Sequence, residues 1–95
     1  MAKLALRWTN VVLGDIEQAF EFIVADAKPE AAKRVIAKIL SGIEQARIFP
    51  ELGRAGRVGG TRELVVSATP FIVVYREKKG AIEILAILHQ SRKWL

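Results

Sequence analysis

A chain of 95 residues suffices for one domain around one hydrophobic core and excludes two. Its 52% hydrophobic content with 3 prolines and 7 glycines excludes a disordered polymer, and the lack of cysteine excludes disulfides and thiolate metal sites. The formal charge of +5 is lopsided: seven Lys/Arg meet six Asp/Glu in residues 1–48 and eight meet four in residues 49–95, so the C-terminal half suits an anionic or macromolecular partner.

Met1-Ala2-Lys3-Leu4 passes directly into an alternating pattern without a cleavage signature, and no apolar run reaches the ~20 residues of a membrane span. A cytoplasmic protein with no membrane association is expected.

Leu4, Leu6 and Trp8 alternate with Lys3, Ala5 and Arg7, which predicts a strand with one buried face. Thr9 or Asn10 can cap a following helix, in which Leu13, Ile16, Phe20, Ile23 and Ala27 recur at spacings of three and four and which runs to about Asp26. Pro29 and Glu30 suit the first turn of a second helix, whose stripe of Ala32, Val35, Ile36, Ile39, Leu40, Ile43 and Ala46 ends near Phe49-Pro50. The short gap between the two predicts an αα-hairpin. The segment 51–60, with four glycines and two arginines, reads as an exposed loop.

Three strands follow, over Thr61–Val66, Phe71–Lys78 and Ala81–His89, with breaks at Ser67-Ala68-Thr69-Pro70 and Lys79-Gly80. The predicted order is β-α-α-β-β-β. This is an α+β domain over residues 1–95 in which a helical hairpin covers one face of a largely antiparallel four-stranded sheet. The last two strands are apolar on both faces, so the second face is expected to meet a partner or be covered by the loop and termini.

Chemistry-bearing motifs are sparse. There is one histidine, no H-E-x-x-H, no phosphate-binding P-loop and no G-x-G-x-x-G after a strand, so no cofactor and no metal is expected. His89 closes the last strand, on a face that alternation shares with Glu83, Leu85 and Ile87; it is either a general base or acid or a structural histidine. Arg54, Arg57, Arg62, Arg76, Arg92 and Lys93 form a candidate basic surface, and Trp94 either stacks on a base or caps the core.

Six short stretches carry a resemblance. They are Trp8-Thr9, Pro29-Glu30-Ala31-Ala32, Phe49-Pro50-Glu51-Leu52-Gly53-Arg54, Gly60-Thr61-Arg62-Glu63-Leu64-Val65-Val66, Thr69-Pro70-Phe71-Ile72-Val73-Val74-Tyr75-Arg76 and Ile84-Leu85-Ala86-Ile87-Leu88-His89. In this order they resemble the RelE/ParE superfamily of toxins from type II toxin–antitoxin modules. The resemblance covers nearly the whole chain and implies the same β-α-α-β-β-β fold, with a cognate antitoxin as partner in a higher-order complex.

Two activities are implied by the two branches. ParE-like members poison DNA gyrase, and for them Arg54, Arg57, Arg92, Lys93 and Trp94 are the target-binding candidates. RelE-like members are metal-independent, ribosome-dependent mRNA endoribonucleases, for which His89, Arg62, Arg76 and Arg92 are the catalytic candidates. The cations that the nuclease branch commonly carries near the end of its second strand and inside its third are missing, since those stretches read Leu64-Val65-Val66 and Phe71-Ile72-Val73-Val74-Tyr75. The chain therefore resembles ParE more closely, with the nuclease and a non-toxic binding module as alternatives.

Overall fold

Hydrophobic alternation and turn chemistry lay out a mixed sheet in this computed structural model, which describes residues 3–10, 12, 14, 15, 17, 18, 21 and 28–90. The strands are β1 (Ala5–Trp8), β2 (Arg54–Ala55), β3 (Arg62–Val65), β4 (Phe71–Lys78) and β5 (Ala81–His89), in the spatial order β1-β5-β4-β3-β2. Between β4 and β5 the turn residues Lys79 and Gly80 both have positive φ (53° and 72°), the backbone of a two-residue hairpin whose twist matches that of its strands. β3, β4 and β5 form the expected meander, whereas β1 pairs with β5 in parallel, Ala5 opposite Ala81.

Helix α1 (Pro29–Ile48) begins on a proline whose missing N–H costs nothing at that position, with Glu30 in the first turn and Arg47 in the last complementing the helix dipole. Its buried residues Ala32, Ile39, Ile43 and Ala46 face the sheet. Arg47 also ties the helix end to the sheet: its carbonyl accepts from the Leu4 N–H (3.0 Å), and its Nε donates to the Leu4 carbonyl (2.8 Å).

Of the predicted first helix, Asn10, Val12, Gly14, Asp15, Glu17, Gln18 and Glu21 are helical; its remaining residues lie outside those described. Thr9 supplies the cap, its hydroxyl accepting from the Val12 N–H (3.4 Å) and donating to the Ile84 carbonyl (3.2 Å). Beyond the four residues that β1 covers, the Asp15 carboxylate accepts from the Ile87 N–H (3.0 Å), so a side chain continues what the short strand leaves unpaired.

The core joins Val12, Ile39, Ile43 and Ala46 to Phe71, Val73, Tyr75, Ile82, Ile84 and Ile87, with Leu4, Leu6 and Trp8 packed against it. Two expectations change. The first concerns a bulge: Tyr75 pairs with Ile84 but Val74 with Ala86, so Leu85 is an extra residue in β5 and the alternation shifts beyond it. His89 consequently shares the helix-covered face with Ile87, Ile84 and Phe71, not the face of Glu83. The second is narrowed: of the two outcomes expected for the opposite face, a partner or cover from the chain itself, the latter holds at Ile72, Val74 and Ala86, which are buried. Among the described residues the large exposed apolar side chains are Leu40, Phe49, Leu52, Val58 and Val65.

Candidate functional site

The glycine-rich segment expected to be a loop is a β-hairpin arm that adds a fifth strand to the sheet. Gly56 donates its N–H to the Thr61 carbonyl (2.8 Å), and Thr61 closes the turn by donating its N–H and its hydroxyl to the Val58 carbonyl (3.1 and 2.6 Å). Arg54 and Ala55 then pair with Glu63 and Arg62. Composition alone pointed to an exposed loop here; partners distant in sequence supply the pairing.

Tyr75, fully buried in β4, is the main anchor. Its hydroxyl donates to the Pro50 carbonyl and accepts from the Gly53 N–H, both at 2.8 Å. Arg62 adds a bond from Nη1 to the Gly53 carbonyl at 2.9 Å. Burial pushes the Tyr75 phenol above its ordinary pKa, with the Gly53 N–H and the Arg62 charge opposing this. Nothing in the sequence singled out Tyr75 for this task beyond an aromatic with a polar tip in a buried strand, a residue type that needs a partner.

On the face turned away from α1, Glu63 lies beneath the arm, opposite Val74. Its carboxylate meets Arg54 Nη2 at 3.3 Å, the Arg57 backbone N–H at 3.2 Å and Arg57 Nε at 3.8 Å. The side chains of Arg54 and Arg57 remain 59% and 53% exposed, so two of the predicted target-binding residues stand together on an ordered surface.

The predicted catalytic residues are not brought together. Arg62 and Arg76 lie on neighbouring strands, but Arg62 is in register with Tyr75, so Arg76, one residue further along β4, projects from the opposite face. Arg76 donates from Nε to Glu83 at 2.7 Å, and this bond, ahead of the opposing effect of burial, holds the Glu83 carboxyl below its ordinary pKa. His89 pairs with Phe71 at the other end of β4, about 17 Å along the strand from Arg76 at the usual rise per residue. Its ring packs edge-on against Phe71 with centroids 5.4 Å apart. Arg92, Lys93 and Trp94 lie outside the described residues.

Two concavities flank the arm. One of about 430 Å³ runs between α1 and the β3 edge, lined by Lys38, Ser41, Gly42, Gln45, Leu52 and residues 64–68. The other, about 500 Å³, is formed by residues 48–52 and Glu77. Among the described residues no helix is long and apolar enough to cross a membrane.

Comparison with known proteins agrees with this architecture. Residues 6–94 match the family model described as the ParE toxin of type II toxin–antitoxin systems, parDE. The Sinorhizobium fredii (strain NBRC 101917 / NGR234) protein named "Putative toxin Y4kP" is 35% identical over 94 residues, covering 99% of this chain and 96% of its own. Among solved structures, the chromosomal ParDE toxin–antitoxin system of P. aeruginosa superposes with a TM-score of 0.83 at 26% identity, covering 92% of this chain and 96% of that one. The RelBE2 toxin–antitoxin complex of Mycobacterium tuberculosis, at 16% identity and a TM-score of 0.61 over 93% of this chain and 99% of that one, shares the fold. With a family match spanning almost every residue and a relative above 30% identity along its whole length, the chain belongs to the ParE family of type II toxin–antitoxin toxins.

Proposed function

We propose that this ParE-family toxin acts by binding and inhibiting DNA gyrase in the cytoplasm, without performing chemistry itself, and that a cognate antitoxin neutralises it. The observation that carries the reading is the contrast between the two candidate residue sets. Arg54 and Arg57 stand together on an anchored arm. His89, Arg62 and Arg76, by contrast, are divided between two faces and two ends of the sheet. Cleavage of RNA at a 2′-hydroxyl needs a base, an acid and a phosphate-holding cation converging on one reacting centre, and that spacing does not supply it.

The antitoxin part of the reading is supported by relatives solved as toxin–antitoxin systems. It is also supported by the exposed Leu40, Phe49 and Leu52, which an amphipathic acidic segment can cover on a chain of net charge +5. Purified protein freed of any partner is to be added to a gyrase supercoiling assay and, separately, to a translating system with primer-extension mapping of the message. Inhibited supercoiling with intact message is the expected result. Ribosome-dependent cuts with gyrase untouched would overturn the proposal in favour of a RelE-like nuclease.

A further inference from the structure

Among the described residues Glu63 is the buried charged one, at 5% exposure, in a part of the sheet otherwise walled by Val74, Ile72 and Ala86. Withdrawing a carboxylate from water is costly unless donors replace the water, and an aliphatic side chain would fill such a position without that cost. Here the donors come from the two arginines of one hairpin, Arg54 through Nη2 and Arg57 through its backbone N–H, and the Arg57 guanidinium adds an ion pair, with Nε at 3.8 Å. One carboxylate therefore fixes where two guanidiniums stand, while more than half of each stays in contact with solvent.

We propose that Glu63 is a positioning residue that holds Arg54 and Arg57 as a two-guanidinium receptor for carboxylate groups on the surface of the protein target. The proposal rests on the reading that the toxin works by binding gyrase, and it specifies which surface chemistry that binding uses. Carboxylates are favoured over nucleic-acid phosphates by two features of the patch. Glu63 offsets one of the two positive charges, whereas binding to a phosphate backbone is driven by accumulated unneutralised cations. The pair is also bordered by exposed apolar side chains, Val65 two residues along β3 and Val58 at the hairpin turn, 43% and 51% exposed, as a protein–protein contact requires. Guanidinium–carboxylate pairing is bidentate and geometry-dependent, so fixing the angle of each fork matters more than adding charge.

The test uses Glu63→Gln, which keeps the size and one acceptor oxygen for the Arg57 N–H but removes the charge, and Glu63→Asp, which keeps the charge. Gyrase binding is measured with nuclease-treated enzyme, beside 15Nε relaxation of the Arg54 and Arg57 side chains in the free toxin. Glu63→Gln should weaken gyrase binding roughly tenfold at an unchanged circular dichroism spectrum, with no further effect in an Arg54→Ala/Arg57→Ala background. Glu63→Asp should recover most of the loss, and both arginine side chains should become less ordered in Glu63→Gln. Full potency of Glu63→Gln, or an equal loss in the arginine-free background, overturns the positioning role. Binding that disappears on nuclease treatment overturns the carboxylate assignment. Wild-type toxin that leaves gyrase untouched refutes the proposed function and with it the gyrase carboxylates, while arginine order unchanged by Glu63→Gln refutes the role of Glu63 whatever the target is.

Discussion

Gly53 and Tyr75 are packed so closely that a Cβ on Gly53 would stand 2.9 Å from both the ring edge and the hydroxyl of Tyr75, with the Glu63 backbone at 3.1 Å on another side. The same tyrosine hydroxyl receives the Gly53 N–H, so contact and hydrogen bond require one another. The end of α1, the start of the arm and the middle of the sheet are thereby fastened at one point.

Gly53→Ala is expected to destabilise the protein by about 1–3 kcal/mol in urea denaturation, since the fixed ring and the backbone of β3 cannot both retreat. Gly42 provides the contrast. An added methyl there meets only Cδ2 of Leu64 at 3.3 Å, the far end of a flexible, half-buried side chain. Gly42→Ala should stabilise by about 0.5–1 kcal/mol through helix propensity. A destabilised Gly42→Ala in the same titration would refute this.

Removing the hydroxyl with Tyr75→Phe strips partners from the Pro50 carbonyl and the Gly53 N–H and is expected to cost about 1–3 kcal/mol. The variant should also change the alkaline behaviour. Because the folded phenol has its pKa raised above the ordinary 10.0, its contribution is fully present below that value and is lost as pH rises toward the raised one. Stability measured from pH 8 upward should fall in the wild type and stay flatter in Tyr75→Phe; parallel curves would refute the assignment.

At the acid end, the Glu83 carboxyl, depressed by the hydrogen bond from Arg76, stabilises the fold above the ordinary carboxylate range and loses that contribution as pH falls through its lowered pKa. Arg76→Ala should move the Glu83 titration midpoint upward and flatten the decline of stability on acidification. Carboxyl-carbon NMR titration reads the first effect directly, and an unmoved midpoint would show that Arg76 is not the cause.

His89→Ala should remove the edge-on contact with Phe71 at a cost of about 0.5–1.5 kcal/mol and leave growth inhibition largely intact. Loss of toxicity in a variant that still folds would restore His89 as a functional group.

The strands over 62–65, 71–78 and 81–89, the helix over 29–48 and the capping by Thr9 were legible because each is written locally, in alternation, in a Lys-Gly turn, in a proline at a helix start. The hairpin arm was not. Its glycines and arginines describe a loop, and the groups that order it, Tyr75 and Glu63, lie beyond it in sequence and resemble any strand residues. The bulge at Leu85 was hidden for another reason: Ile84, Leu85, Ala86, Ile87 and Leu88 are all apolar, so either alternation fits and only the pairing with β4 decides. That single register shift moved His89 across the sheet. Adjacency of Arg62 and Arg76 was readable, but their opposition across the sheet depends on the register of β3 against Tyr75.

The parallel pairing of β1 with β5 has a consequence for synthesis. The strand made first finds its neighbour only when the segment around Ala81 has emerged, whereas β4 can already pair with β3. Non-local pairing of this kind cannot reward a growing chain in instalments. Products of interrupted translation that stop short of β5 therefore lack the strand that joins β1 to the rest of the sheet, and the family's fold is completed only when the last strand is delivered.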